Sequence, residues 1–508
     1  MIKDIFTNPE VIRNARYRLR PKTVWLTIFI TAAFLILVAI MAFNPLRDNA
    51  HESWRNLFVA YAWIATVTGF FYGVSLTTMS VMGEKDKKTY DFMFMTPLSD
   101  SAISIGKLIG SSLHMWLILA IMTLFLLVSG LGGEIAPVKM LVFYLALILG
   151  SLLCAACGML VSVSITRTTS SLVGVLIVLG VCVISSGLGM GSREYDGYLQ
   201  FYGLLSPVPI IMDISEELSR WYDPNIISFF NRNINAGLLT IAIYAWLIFW
   251  IMRAVIRKVR NLQGVYFTEL EALIIFVVFE VLMAGFQWKY MSNPYGKHFW
   301  DSLATYLITN GIFLAVFSCG LTLSREDYFS YVRQGILKTP AEALRKLSPP
   351  HILYIILCLT MIGGLLMIPF RTDNLLLVGL EIWVLIAAVS IFYLLVQFLR
   401  TILVYAGPVV AIIISAAALG LPPIFLAAFG VPDKYFVWFN PIAYITQIHW
   451  FLFRLGTDYY YHYRNKPFTN TDLWFLPVLL AVMLAMMLVF FIVRHNQIKR
   501  TIRHRMKM

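Results

Sequence analysis

The stretch Glu84–Lys107, EKDKKTYDFMFMTPLSDSAISIGK, lies between two long apolar runs, and its reading decides the fold. Charge, an amphipathic segment and a hard stop occur together in this one loop. Helical spacing over 85–95 places Tyr90, Met93 and Phe94 on one face and leaves Lys87, Lys88 and Asp91 for water. Pro97 ends that expected helix, because proline removes a backbone donor and clashes with the preceding turn. Ser99 or Asp100 can then cap the next helix by accepting its first free backbone N–H groups. The expectation is a rigid knuckle with a membrane helix attached to each end.

The flanking runs set the class. The 508 residues are 59% hydrophobic and only 13% charged, with a mean hydropathy of +0.76. A soluble domain carries about 25% charged residues. Apolar runs long enough to cross a bilayer recur along the chain, which predicts an all-α polytopic membrane protein. The first run, Thr23 to Phe43, is too long for a signal-peptide core and has no small-residue cleavage site behind it, so it reads as a signal anchor. The net charge of +13 invites a nucleic-acid reading, but its placement argues against one. With the N-terminus inside, most of the 40 lysines and arginines fall on the cytoplasmic side, with both termini there, as the positive-inside rule requires.

The knuckle resembles the first cytoplasmic loop of type-2 ATP-binding-cassette (ABC) exporter permeases. Their pattern runs E-[KR]-E-x-G-T-[LY]-E-x-L-L-x-T-P-[LV]-S, followed by Gly-Lys on the next helix. Glu84, Lys85, Thr89, Tyr90, Thr96, Pro97, Leu98 and Ser99 fall in register, as do Gly106 and Lys107. Asp86 and Asp91 replace glutamates, and Lys88 stands where glycine is usual. The resemblance implies that this loop, with Met93 and Phe94, is a coupling helix seated in a cleft of an ABC ATPase. It also implies that ATP and Mg are held by that partner, present as two copies or a heterodimer. A solvated charged turn between spans is the simpler alternative.

The segment Asn8 to Lys22 resembles the family's elbow helix; Val11, Ile12, Ala15 and Leu19 line one side and Arg13, Arg16 and Arg20 the other. As an isolated pattern it equally suits a basic interfacial anchor. Spans follow at about 23–43, 57–82, 102–129, 138–164, 169–190 and 234–252. Gly69 with Gly73, and Gly106 with Gly110, form small-xxx-small pairs suited to close packing. The stretch 191–233, containing Pro207 and Pro209, resembles the family's external re-entrant hairpins. Its acids, Asp213, Glu216 and Glu217, read as the watered side of a helix. The second half places spans near 272–288, 303–323, 352–369, 375–397, 402–429 and 473–493, for about twelve in all.

Two coincidences suggest a repeat. The loop 324–350 holds Asp327 twelve residues before Thr339-Pro340, the spacing of Glu84 to Thr96-Pro97. Asn440-Pro441, in the external stretch 430–472, precedes the last span much as Pro207 precedes the sixth. The expectation is two six-helix modules, 1–252 and 253–508. The second loop, with Arg325, Glu326 and Asp327, lacks a Thr-Tyr-Asp equivalent, so it is the weaker coupling candidate.

No phosphate-cradling Gly-x-x-x-x-Gly-Lys-Ser/Thr motif is present, so ATP hydrolysis is assigned to a separate chain and this one to transport. No clustered metal ligands stand out, and Cys154 and Cys157 read as packing residues inside a span. Intramembrane ionisable groups are functional flags: Glu280 suits either a substrate path or a buried pair, while Glu381 and His114 suit structure better. Glu269 and Glu271 lie near a span end. The function expected is an exporter permease moving an amphipathic or hydrophobic molecule, such as a lipid, peptide or drug, across a plasma membrane. A proton- or ion-coupled carrier and a non-transporting mechanotransmission complex are the alternatives.

Overall fold

The computed structural model describes residues 8–42, 50–90, 98–164, 203–215, 226–260, 266–291 and 470–507, with single positions at 180 and at points between 306 and 399. The chain divides into two compact units, Met1–Leu262 and Gln263–Met508.

Prolines and short polar side chains set the helix starts of the first unit. Helix α1 (Pro9–Arg18) has proline in its first turn, and Asn8 caps it by accepting from the Glu10 N–H at 3.0 Å. Helix α2 (Pro21–Ala42) follows, then α3 (Ala50–Asp86). Ser99 caps α4 (Asp100–Gly132), accepting from the Ala102 N–H at 3.2 Å, so of the two residues expected to cap there serine does so. Helix α5 (Pro137–Ser164) starts on proline. The proline-broken stretch gives a short helix, α6 (Val208–Ile214). Next comes a hairpin of β1 (Ile226–Phe229) and β2 (Arg232–Asn235), paired antiparallel with Phe229 opposite Arg232. Its two turn residues, Phe230 and Asn231, both have positive φ, the backbone that matches a two-residue hairpin to strand twist. Asn235 then accepts from the Leu238 N–H at 3.2 Å to start α7 (Ala236–Arg260).

In the second unit, α8 (Glu269–Met291) begins with a capping box. The Glu271 carboxylate accepts from the Thr268 N–H, and the Thr268 hydroxyl accepts from the Glu271 N–H. Glu271 is thus a helix cap. The last helix is α9 (Asn470–Lys507).

Among the described residues, six helices are long and apolar enough to cross a membrane: α2, α3, α4, α5, α7 and α9. The protein is an all-α polytopic membrane protein, with one small β hairpin among the described residues. The spans expected near 169–190, 352–369 and 402–429 lie outside the described residues, and those near 303–323 and 375–397 largely so.

The core of the first unit lies between α3, α4 and α5. It contains Phe58, Tyr61, Met115, Phe143 and, from α6, Ile210 and Ile211. Phe58 and Phe143 meet edge to face at 5.7 Å. In a bilayer, helices associate through close packing and interhelical hydrogen bonds. Gly69 and Gly73 provide that closeness: a Cβ on Gly69 would lie 2.3 Å from Ser151 Oγ of α5, and one on Gly73 2.9 Å from Met115 Sδ of α4. Thr78 of α3 donates to the Gly158 carbonyl of α5 at 3.1 Å. Cys154 is buried beside Phe70 and Val74. Helix α2 leaves most of its surface open, with Trp25 and Phe29 both over 70% exposed, as a lipid-facing helix does.

Three expectations are corrected. Of the helix anticipated over 85–95, the described part is not a separate helix: α3 runs on to Asp86 and residues 87–90 are turn and loop, while 91–95 lie outside the described residues. The elbow's buried face is polar, made by Asn8, Glu10 and Asn14 beside Val11, while Ile12 sits among the arginines on the exposed side. Asp213 is buried, not watered: Lys139 donates to its carboxylate at 3.1 Å, tying α6 to the start of α5.

Candidate functional site

The knuckle begins where α3 ends, and the way it ends explains a departure from the family pattern. Lys88 has φ 55, a left-handed backbone. The Thr89 N–H donates to the Glu84 carbonyl at 2.9 Å and the Lys88 N–H to the Lys85 carbonyl at 3.0 Å. This is the Schellman C-cap, whose left-handed position is most often glycine. Lysine therefore occupies the site that glycine fills in the resembling loops, at a steric cost of about 1 kcal/mol. Helix α4 ends the same way on Glu134, with φ 53.

Three knuckle residues point inward and weld it to its surroundings. Glu84 accepts from Lys107 Nζ of α4 and, at 2.7 Å, from Arg13 of α1; Lys107 is only 2% exposed. Arg13 also meets Glu10 at 2.9 Å, so two carboxylates balance two cations in one network. Lys85 donates to the Ser162 and Val163 carbonyls at 2.6 and 2.9 Å, closing the C-terminal end of α5. Its ammonium also lies 5.6 Å from the Tyr90 ring centre. Tyr90 is buried with Val81, Ile103, Met159, Val255 and Val259, and its hydroxyl donates to the Val259 carbonyl of α7 at 3.4 Å. One loop thus grips α1, α4, α5 and α7.

The outward side is different. Asp86, Lys87, Lys88 and Thr89 are exposed. Asp91, Met93, Phe94, Thr96 and Pro97 lie outside the described residues.

The elbow is fastened to the same place. Asn8 donates to the Ala102 carbonyl at 2.7 Å, and Asn14 to the Glu10 carbonyl at 2.9 Å. Gly106 and Gly110 make room for these amides: a Cβ on either would lie 2.7 or 2.9 Å from the asparagine nitrogen facing it. The second glycine pair therefore serves the elbow. Arg18, half-buried at the end of α1, has its pKa lowered by desolvation, against the opposing influence of Tyr72 and Tyr17.

Deeper in the bundle His114 joins three helices. Thr27 of α2 lies 2.8 Å from its Nε2 and the Tyr72 hydroxyl of α3 2.9 Å from its Nδ1. Thr27 donates to the Thr23 carbonyl, so its oxygen accepts from Nε2–H while Tyr72 donates to Nδ1. His114 is a structural clasp.

In the second unit Glu280 is buried and accepts from the Tyr306 hydroxyl. The hairpin residues Pro207 and Pro209 lie at the start of α6. Arg325, Glu326, Asp327, Thr339, Pro340, Asn440, Pro441 and Glu381 lie outside the described residues. Tyr328, beside the first three, is buried against α9 with Val332, Phe491 and Ile498, and its hydroxyl lies 2.7 Å from His495 Nδ1. Tyr90 and Val259 are 169 positions apart, and Tyr328 and His495 are 167 apart. Each unit thus has a buried tyrosine that meets its last described helix, at Val259 near the end of α7 and at His495 within α9. Sequence spacing paired Asp327 with Glu84; the matching of tyrosines needed the tertiary contact.

The long apolar helices, with a C-capped knuckle between the second and third of them and the elbow tied to it through Arg13 and Glu84, define a polytopic membrane protein. Residues 43–250 match the family model described as ABC-2 family transporter protein. Comparison with curated proteins and with solved structures found no match.

Proposed function

We propose that the chain is the membrane subunit of an ATP-driven exporter, with two six-helix modules driven by separate ABC ATPase subunits docked beneath the loops 83–100 and 324–350. The observation that carries this reading is the inward anchoring of Glu84, Lys85 and Tyr90. A loop held by one helix would yield locally when pushed, whereas one held to α1, α4, α5 and α7 moves them together. Asp86, Lys87, Lys88 and Thr89 then form the near edge of the partner surface, with Asp91, Met93, Phe94, Thr96 and Pro97 completing it. The Tyr328–His495 contact supports a second lever in the other unit. ATP and Mg stay on the partner. An amphipathic or hydrophobic substrate leaves outward past the proline-containing hairpins. The membrane in this reading is the plasma membrane with both termini cytoplasmic; Arg16, Arg20, Lys87 and Lys88, on the elbow and knuckle that Arg13 and Glu84 join, support a cytoplasmic placement of that end.

The test is purification of the full chain from its host and a search for a co-purifying ATPase. Cysteine at Lys88 should cross-link to that subunit, and Tyr90→Ala should leave ATP hydrolysis running while substrate flux falls. A lone chain, or flux abolished by a protonophore and insensitive to ATP, would favour the ion-coupled carrier instead.

A further inference from the structure

We infer that the exposed face of α1 is a binding site for the headgroup of an anionic phospholipid. Pro9, Ile12, Arg13, Arg16, Tyr17 and Arg20 line a groove of about 530 Å³. Their spacing follows one helical stripe, opposite the asparagine face that grips α4. Arg13 is committed to Glu10 and Glu84, and Glu84 also takes Lys107, so those four charges cancel. Among the described residues neither Arg16 nor Arg20 pairs with an acid, which leaves two uncompensated cations on the groove. Arg20 lies 5.4 Å from the Tyr17 ring centre, which holds its charge over the rim. An anion in the groove meets two guanidinium groups and one shared cation, a fit to phosphate oxygens.

A membrane source follows from what adjoins the groove. Tyr17 is 70% exposed and Trp25, one turn into α2, is 72% exposed; such aromatic rings sit at headgroup depth. Beyond Trp25 the open side of α2 carries Leu26, Phe29 and Ile30, along which acyl chains can lie. Charge below and exposed apolar surface above match one lipid molecule end to end, and a soluble phosphate would use only the lower half.

The experiment is a thermal-shift titration of the full chain, delipidated in neutral detergent, with dioleoylphosphatidylglycerol, dioleoylphosphatidylcholine or inorganic phosphate. Phosphatidylglycerol should raise the Tm and the other two should not. R16A/R20A should keep the lipid-free Tm and weaken the phosphatidylglycerol response roughly thirty-fold in midpoint, about a factor of five per basic residue. An R232A control, which removes an exposed charge on the β hairpin at the end of α7 opposite Val259 and the knuckle, should retain the full response. Equal shifts with the two lipids, an equal shift with phosphate alone, or an undiminished response in R16A/R20A would overturn the site. None of these readouts involves an ATPase, so they stand apart from the exporter reading.

Discussion

Removing the Glu84 carboxylate tests whether the knuckle is welded by charge. In Glu84→Ala, Lys107 keeps its ammonium in a place only 2% exposed and loses its partner, while Arg13, whose side chain is 56% exposed, can turn to water. Stranding one member of a buried pair costs about 3–5 kcal/mol. The Arg13 contact adds little, at most about 1 kcal/mol at such exposure. Glu84 retains 16% side-chain exposure, which favours the lower end, about 3 kcal/mol. For a unit of this size that corresponds to a Tm lower by about 6–12 °C. The assay is thermal unfolding of the purified chain in one detergent, run as a double-mutant cycle with Lys107→Met. Since the double variant leaves no buried charge unpaired, it should recover to within about 1 kcal/mol of wild type. Equal destabilisation of E84A and E84A/K107M would mean that lost packing sets the cost, and would refute the charge argument.

Further outcomes follow from the same geometry. Lys88→Gly relieves a left-handed lysine and should stabilise by about 1 kcal/mol, with Lys88→Ile shifting the Tm the other way. Gly106→Val drives carbon into the Asn8 amide and should loosen the elbow by about 2 kcal/mol, seen as roughly thirty-fold faster tryptic cleavage in α1. Gly83→Ala, with open space around its Cβ, should leave that cleavage rate unchanged. Tyr328→Phe leaves the buried His495 Nδ1 without its hydrogen-bond partner and should cost about 1–3 kcal/mol; thermal unfolding of Y328F beside H495F and the double variant would show whether the two effects are shared.

Length and apolarity made the long helices legible, because a chain in lipid must satisfy its backbone within helices wherever an apolar run is long enough. A cap at Ser99 or Asp100 was equally readable, since a capping side chain acts within one turn of its own position. The knuckle's location was legible too, but the stop at Lys88 was not, since helical spacing runs straight through it and only the folded backbone shows its left-handed turn. Tertiary structure alone decided which way its side chains face. Glu84 finds Lys107 23 positions away and Arg13 71 away, and Tyr90 finds Val259 169 away. No local period carries such information. The same holds for the asparagine face of the elbow and for Asp213: both look solvated until the glycines of α4 or Lys139 of α5 are brought beside them. A polar group's cost of burial depends on its partner, and only the folded chain supplies that partner.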